Sequence, residues 1–258
     1  MRETPEKRPF MDVIEAVGLG KRYGRKWGLR DCTLSVPAGC VTGLVGPNGS
    51  GKTTLLSLAV CMIRPTAGTV LVAGETAGSR AARDLTAFVA QDAPLYQNLP
   101  VRDMLRVARN LNVRWDQDRA VSRLDGLGIP LKQRVGALSG GQKAQLALTI
   151  ALARRPELLV LDEPLAALDP LARADFMKSV REAVAADQIS AVFSTHVVAE
   201  LEQVADYLIV LGRGAVLLAG TTAELTAAHG GQSPEQVILS ALRENAEHAQ
   251  GQTQEVAR

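Results

Sequence analysis

Gly46-Pro47-Asn48-Gly49-Ser50-Gly51-Lys52-Thr53 matches the pattern G-x-x-x-x-G-K-[ST], and its flanks supply the context that the pattern needs. The run Cys40 to Val45 before it reads as a buried strand, and Thr54 to Ile63 after it reads as a helix. A strand that passes through glycines into a helix can wrap successive backbone N–H groups around an anion, with the helix N-terminus adding positive dipole. In such a loop Lys52 reaches the β- and γ-phosphates of a nucleotide and Thr53 puts its hydroxyl on Mg²⁺. Residues Gly46 to Thr54 are therefore expected to form a nucleoside-triphosphate site.

Away from the loop, short apolar runs alternate with longer helical patterns, which predicts an α/β domain with a largely parallel sheet. Strands are expected at Asp12 to Val17, Cys32 to Val36, Cys40 to Val45, Thr69 to Ala73, Thr86 to Ala90, Leu158 to Leu161, Ile189 to Ser194, Tyr207 to Leu211 and Ala215 to Leu218. Between Asp92 and Arg155 the strand signal stops, and helices are expected at Val101 to Leu111, Asp116 to Leu127 and Gly141 to Arg154. The expected organisation is a core of residues 1–91 and 156–225, an inserted helical subdomain of 92–155, and a tail of 226–258 with one helix, Pro234 to Glu244, before a disordered end. Pro170 sits where the first turn of a helix, Leu171 to Ala185, tolerates its missing N–H.

Composition excludes several classes. The 258 residues carry 29 Lys+Arg against 27 Asp+Glu, with 47% hydrophobic residues, which fits an ordinary globular chain. A formal charge of +2 gives no bulk attraction for polyanions, so no nucleic-acid partner is expected. The first ten residues are charged and lack an apolar core, so a signal peptide is not expected. Thr33 to Gly51 is long and uncharged, yet its two prolines and five glycines exclude a lipid-facing helix. Cys32, Cys40 and Cys61 lack C-x-x-C spacing and read as small structural residues in a reducing compartment.

A phosphate loop needs a partner that holds the metal and orients water. Leu158-Leu159-Val160-Leu161-Asp162-Glu163-Pro164 provides a buried strand ending in two acids. Ligands of open α/β sheets bind at the carboxyl ends of strands, which puts both acids on the correct edge. Asp162 is the candidate metal ligand and Glu163 the candidate general base. Leu138-Ser139-Gly140-Gly141-Gln142 opens the helix that runs to Arg154, presenting a serine and backbone N–H groups as a second anion-binding surface. One γ-phosphate does not need two such surfaces from one molecule, so this one is expected to serve the nucleotide of another subunit.

The L-S-G-G-Q run before the D-E acids and after a G-x-x-x-x-G-K-T loop resembles the ATP-binding subunit of an ABC transporter, across about Asp12 to Leu225. The resemblance implies a P-loop NTPase (RecA-like) sheet core with an N-terminal antiparallel β subdomain and the inserted helical subdomain. It implies that Tyr23 stacks on adenine, that Gln91 senses Mg²⁺ or water between sheet and helices, that Asp169 in Ala167-Leu168-Asp169 contacts the partner subunit, and that His196 contacts the γ-phosphate. Ala166, Lys143 and Pro100 depart from the common family pattern without removing a catalytic group. The expected activity is hydrolysis of ATP with Mg²⁺ in a dimer of two copies of the chain, docked on a separate integral membrane permease at the cytoplasmic face. Gln91, Leu95, Tyr96 and Leu99 mark the expected permease-facing surface. The pattern resembles export-type cassettes, and the stretch beyond Leu225 is too short for the regulatory domain of some importer subunits. A single-cassette ATPase acting in cofactor assembly is the alternative; a GTPase is set aside because no N-K-x-D motif occurs.

Overall fold

The computed structural model describes residues 12–91, 94–201 and 204–256. The N-terminal stretch 1–10, read above as lacking a signal sequence, lies outside the described residues.

Two sheets and eight helices build the described chain. The first sheet is antiparallel, with order β2-β1-β4-β5, from β1 (Asp12–Tyr23), β2 (Lys26–Pro37), β4 (Ala67–Val72) and β5 (Glu75–Thr76). The second has order β10-β9-β3-β8-β7-β6. In it β3 (Val41–Val45), β6 (Thr86–Val89), β7 (Leu158–Leu161), β8 (Ser190–Thr195) and β9 (Tyr207–Gly212) run parallel, and β10 (Ala215–Thr221) closes one edge antiparallel. The helices are α1 (Lys52–Ala59), α2 (Arg80–Leu85), α3 (Val101–Leu111), α4 (Gln117–Gly126), α5 (Gly140–Ala153), α6 (Pro170–Asp187), α7 (Thr222–Ala228) and α8 (Pro234–Val256).

The parallel strands are buried on both faces, as their unbroken apolar runs require. On β7, Leu158 and Val160 join a core with α1 and the antiparallel sheet, whereas Leu159 and Leu161 join a core with α5, α6 and α8. A third core, including Val101, Leu105, Leu124, Ile129 and Leu146, holds α3, α4 and one face of α5 together. This helical group is tied to α6 by polar contacts: Arg119 makes a two-pronged ion pair with Asp187, and buried Gln145 accepts from Arg123 Nη2 at 2.9 Å while donating to Ser179 Oγ at 3.2 Å. No helix among the described residues is long and apolar enough to cross a membrane.

The structure departs from the sequence expectation where periodicity is locally broken. β1 and β2 form a hairpin of two 12-residue strands, twice the length expected for β1; register shifts around Leu19 and Lys21 interrupt the alternation by which strands are recognised. α1 spans Lys52–Ala59 rather than Thr54 to Ile63, because the chain turns at Val60 and Cys61, where Cys61 has a φ of 65°. α2, α7 and the two-residue β5 are too short to show a period. The tail read as disordered after Glu244 continues α8 to Val256, in line with its Ala, Glu and Gln content. Burial pushes the thiol pKa of Cys32, Cys40 and Cys61 up, which suits structural rather than reactive cysteines.

Candidate active site

The phosphate loop joins β3 to α1 and is shaped by close approaches that exclude side chains. A Cβ at Gly46 would lie 2.3 Å from the Leu211 carbonyl oxygen and 2.5 Å from Ser50 Oγ. Gly51 caps α1 with a φ of 106°, and a Cβ there would meet the Gly28 carbonyl at 2.7 Å. From behind, the Gly214 N–H in the β9–β10 turn donates to the Ser50 carbonyl at 2.9 Å, and Arg30 N–H donates to the Gly214 carbonyl at 2.8 Å. The two sheets thus meet at the back of the loop. Ser50 Oγ is buried without a hydrogen-bond partner, the kind of orphan group that a bound anion can satisfy.

A cavity of about 300 Å³ opens in front of the loop, lined by Gly28, Asn48, Gly49, Gly51, Lys52, Thr53, Thr54 and Glu163. Pro47 lies exposed at its rim. Lys52 is buried, and its ammonium donates to the Gly46 carbonyl at 2.8 Å and lies 3.7 Å from Glu163 Oε1.

Strand register brings the acids to the same edge. Leu161 pairs with Phe193 and Val45 with Thr195, so Asp162, Glu163, Ser194 and His196 all emerge beside the loop. Asp162 is buried, and its Oδ1 accepts from Ser194 Oγ at 2.7 Å and from Thr53 Oγ1 at 3.4 Å. Glu163 has a φ of 46°, which breaks the strand alternation. Its Oε2 faces His196 Nδ1 at 3.3 Å, and its N–H donates to Ser194 Oγ at 2.9 Å. The hydroxyl of Thr53 and the carboxylate of Asp162 form an all-oxygen donor set suited to a hard cation, so these residues fit Mg²⁺. Val89 pairs with Leu161, so Gln91, two residues past the end of β6, follows the same sheet edge from which Glu163 emerges, exposed and outside the cavity lining.

Ser139, Gly141, Gln142 and Asp169 occupy a different surface. They line a groove of about 530 Å³ between the starts of α5 and α6, which shares no lining residue with the phosphate cavity. Ser139 Oγ accepts from Gln142 N–H at 3.2 Å and Gln142 Oε1 accepts from Ser139 N–H at 3.1 Å, a capping box. The first-turn N–H groups of Gly140 and Gly141 have no partner within the helix by its geometry. A Cβ at Gly141 would stand 3.0 Å from Ala172 Cβ, so the glycine lets the two helix starts approach. Asp169 caps α6 through Ala172 N–H at 3.0 Å.

Two contributors carry no sequence motif. Gly28 lies between the cavity and the half-exposed ring of Tyr23, where a Cβ would come 2.9 Å from Tyr23 Cε2 and 3.4 Å from Thr54 Oγ1. The Lys21 ammonium lies 5.6 Å from the centroid of the same ring. Ser194 is completely buried, and its hydroxyl links Asp162 to the Glu163 peptide. Spacing could not reveal Gly28, although strand register points to Ser194 once β7 and β8 are paired.

The sequence pattern of the family described as ABC transporter matches residues 29–166. The chain is 35% identical over 237 residues to the daunorubicin resistance ATP-binding protein DrrA3 of Streptomyces coeruleorubidus, covering 89% of this chain and 74% of that protein. It is 33% identical over 220 residues to the sulfate/thiosulfate import ATP-binding protein CysA of Synechococcus elongatus, covering 82% of this chain but only 63% of that relative's length. A solved structure of the ATP-binding subunit of an ABC transporter superposes with a TM-score of 0.78 at 25% identity, covering 89% of this chain and 99% of that one.

Proposed function

The chain belongs to the ABC transporter family, and on that premise we propose that it is an ATP-hydrolysing subunit that closes head to tail on a second copy and drives a separate membrane permease. One observation carries this reading. The phosphate cavity and the groove that holds Ser139 and Gly141 share no lining residue, so on this reading a complete site pairs the cavity of one copy with the groove of another.

In that site the loop N–H groups and Lys52 hold the phosphates, and the Tyr23 ring, kept clear by Gly28, supports the base. Thr53 and Asp162 would hold Mg²⁺, with Gln91 at the neighbouring strand end; the bound metal neutralises charge on the phosphate oxygens. Phosphate oxygens compete with the Gly46 carbonyl and Glu163 for the Lys52 ammonium. That exchange frees Glu163 Oε1 to accept a hydrogen bond, and then a proton, from the attacking water. His196, which touches the other Glu163 oxygen, stands beside the γ-phosphate position. Across the interface, Ser139, Gly140, Gly141, Gln142 and Asp169 of the second copy complete the γ-phosphate cage. ATP then favours the closed dimer and hydrolysis releases it.

The permease surface is a groove of about 210 Å³ lined by residues including Phe88, Pro94, Leu95 and Met104. Leu95 is half-buried and packs against two cores, while the adjacent Tyr96 is 61% exposed. Export is the proposed direction, on the export-type resemblance of the sequence; the curated relatives include a resistance ATP-binding protein at 35% identity and an import ATP-binding protein at 33%. The cytoplasmic face of the membrane is the proposed site of action. Copurification from detergent-solubilised membranes tests the reading: an integral membrane partner is expected, and recovery of the chain only with soluble proteins would overturn it.

A further inference from the structure

We propose that Ser194 is a positioning residue for hydrolysis, its single hydroxyl fixing both the metal-binding carboxylate and the backbone that aims the base. The inference rests on the ATPase reading above and adds a residue to it.

Two bonds carry the argument. Ser194 Oγ donates to Asp162 Oδ1 at 2.7 Å and accepts from Glu163 N–H at 2.9 Å. A hydroxyl has one proton and can accept on its lone pairs, so these two bonds are chemically compatible and orient one another. The carboxylate bond is the shorter of the two that Asp162 Oδ1 receives, since Thr53 Oγ1 is 3.4 Å away. Thr53 is therefore the looser partner, and Ser194 sets the carboxylate plane. The second bond acts on a strained residue. Glu163 adopts a φ of 46°, which non-glycine residues rarely hold unless their surroundings enforce it. The Ser194 hydroxyl holds the peptide N–H at that point.

Register explains why a residue of β8 does this. Leu161 pairs with Phe193 in the parallel ladder, so Ser194 stands beside Asp162, and their side chains share a sheet face. Ser194 is completely buried. Outer partners of metal ligands typically matter 10- to 100-fold for metal affinity or activity.

The test compares the full-length wild type with Ser194→Ala, and Ser194→Thr with Ser194→Val, a pair of similar shape that differs in the hydroxyl. Metal-free ATP binding, Mn²⁺ binding to the ATP complex by electron paramagnetic resonance, and kcat against KM are read in parallel. Ser194→Ala is expected to bind metal-free ATP like the wild type, to hold Mn²⁺ about 10- to 100-fold more weakly, and to lose kcat by a similar factor. Ser194→Thr should retain metal binding and turnover that Ser194→Val loses. Metal affinity and kcat of Ser194→Ala within about twofold of the wild type would overturn the inference. If Ser194→Ala does not fold, equal behaviour of the Thr and Val variants overturns it instead. A wild type without ATPase activity would strike at the reading beneath; an active wild type matched by Ser194→Ala strikes at Ser194 alone.

Discussion

The ammonium of Lys52 and the carboxylate of Glu163 face each other at 3.7 Å, with side chains only 5% and 16% exposed. The same two groups are assigned to opposite jobs, one to hold phosphate and the other to accept a proton. On the proposed reading, their contact couples phosphate binding to release of the base. Glu163→Gln keeps the shape of the side chain but cannot accept the proton. It is expected to lower turnover by about 10²- to 10⁴-fold while leaving an ATP-stabilised dimer. Steady-state phosphate release with light scattering checks this, and near-normal turnover would remove Glu163 from the role of base.

Gly28 keeps the Tyr23 ring in place, since a Cβ there would lie 2.9 Å from Cε2. Gly28→Ala should push the ring off the nucleotide and raise the Kd for ATP about 2- to 10-fold, the worth of one stacking contact. Tyr23→Ala should show a similar loss. Calorimetric titration is the measurement, and an unchanged Kd in both variants would deny that Tyr23 supports the base.

Much of this site could be read from the sequence, for identifiable reasons. The loop Gly46 to Thr53 and the acids Asp162 and Glu163 are consecutive, so their chemistry is written at short range. Pro170 and the Asp169 cap before it announce a helix start in the same way. Ser194 acts on Glu163, 31 positions away, and Gly28 stands between Tyr23 and Thr54, the latter 26 positions away, so no single local pattern contains either role. The N-terminal hairpin was only half legible because its register shifts disrupt the alternation on which strand recognition depends. The capping box of Ser139 and Gln142 is written in the sequence as S-x-x-Q, at the start of the helix expected there. The end of α8 shows the opposite case: its polarity suggests disorder, while its Ala, Glu and Gln residues favour the helix that reaches Val256.

Asp116 links acid stability to the helical group. Its carboxyl is held below the usual range first by the Arg119 backbone N–H that it caps and then by the Arg155 guanidinium, whose Nε donates to it at 2.9 Å. A carboxylate whose folded pKa is depressed stabilises the fold above its unfolded pKa of about 3.9, and this stabilisation is lost as pH falls through the folded value. Urea unfolding from neutral pH downward should show a stability loss in the wild type below about pH 4 that is smaller in Asp116→Asn, which still caps α4. Identical pH profiles would contradict the assignment.

Tyr96, 61% exposed and next in sequence to Leu95, probes the proposed permease-facing surface. Tyr96→Cys in an otherwise cysteine-depleted chain should crosslink to the copurified membrane partner. No crosslink in any nucleotide state would move the docking surface elsewhere.

If each ATP site is shared between two copies, mixing two inactive variants restores activity. Lys52→Met disables the phosphate cavity, and Ser139→Arg obstructs the signature groove. Each variant alone has two defective sites. A mixed dimer has one site with both defects and one site, formed by the intact cavity and the intact groove, with none. The mixture is expected to recover about a quarter of the wild-type rate, since half of the dimers are mixed and each carries one complete site. A mixture no more active than either variant alone would contradict the shared site.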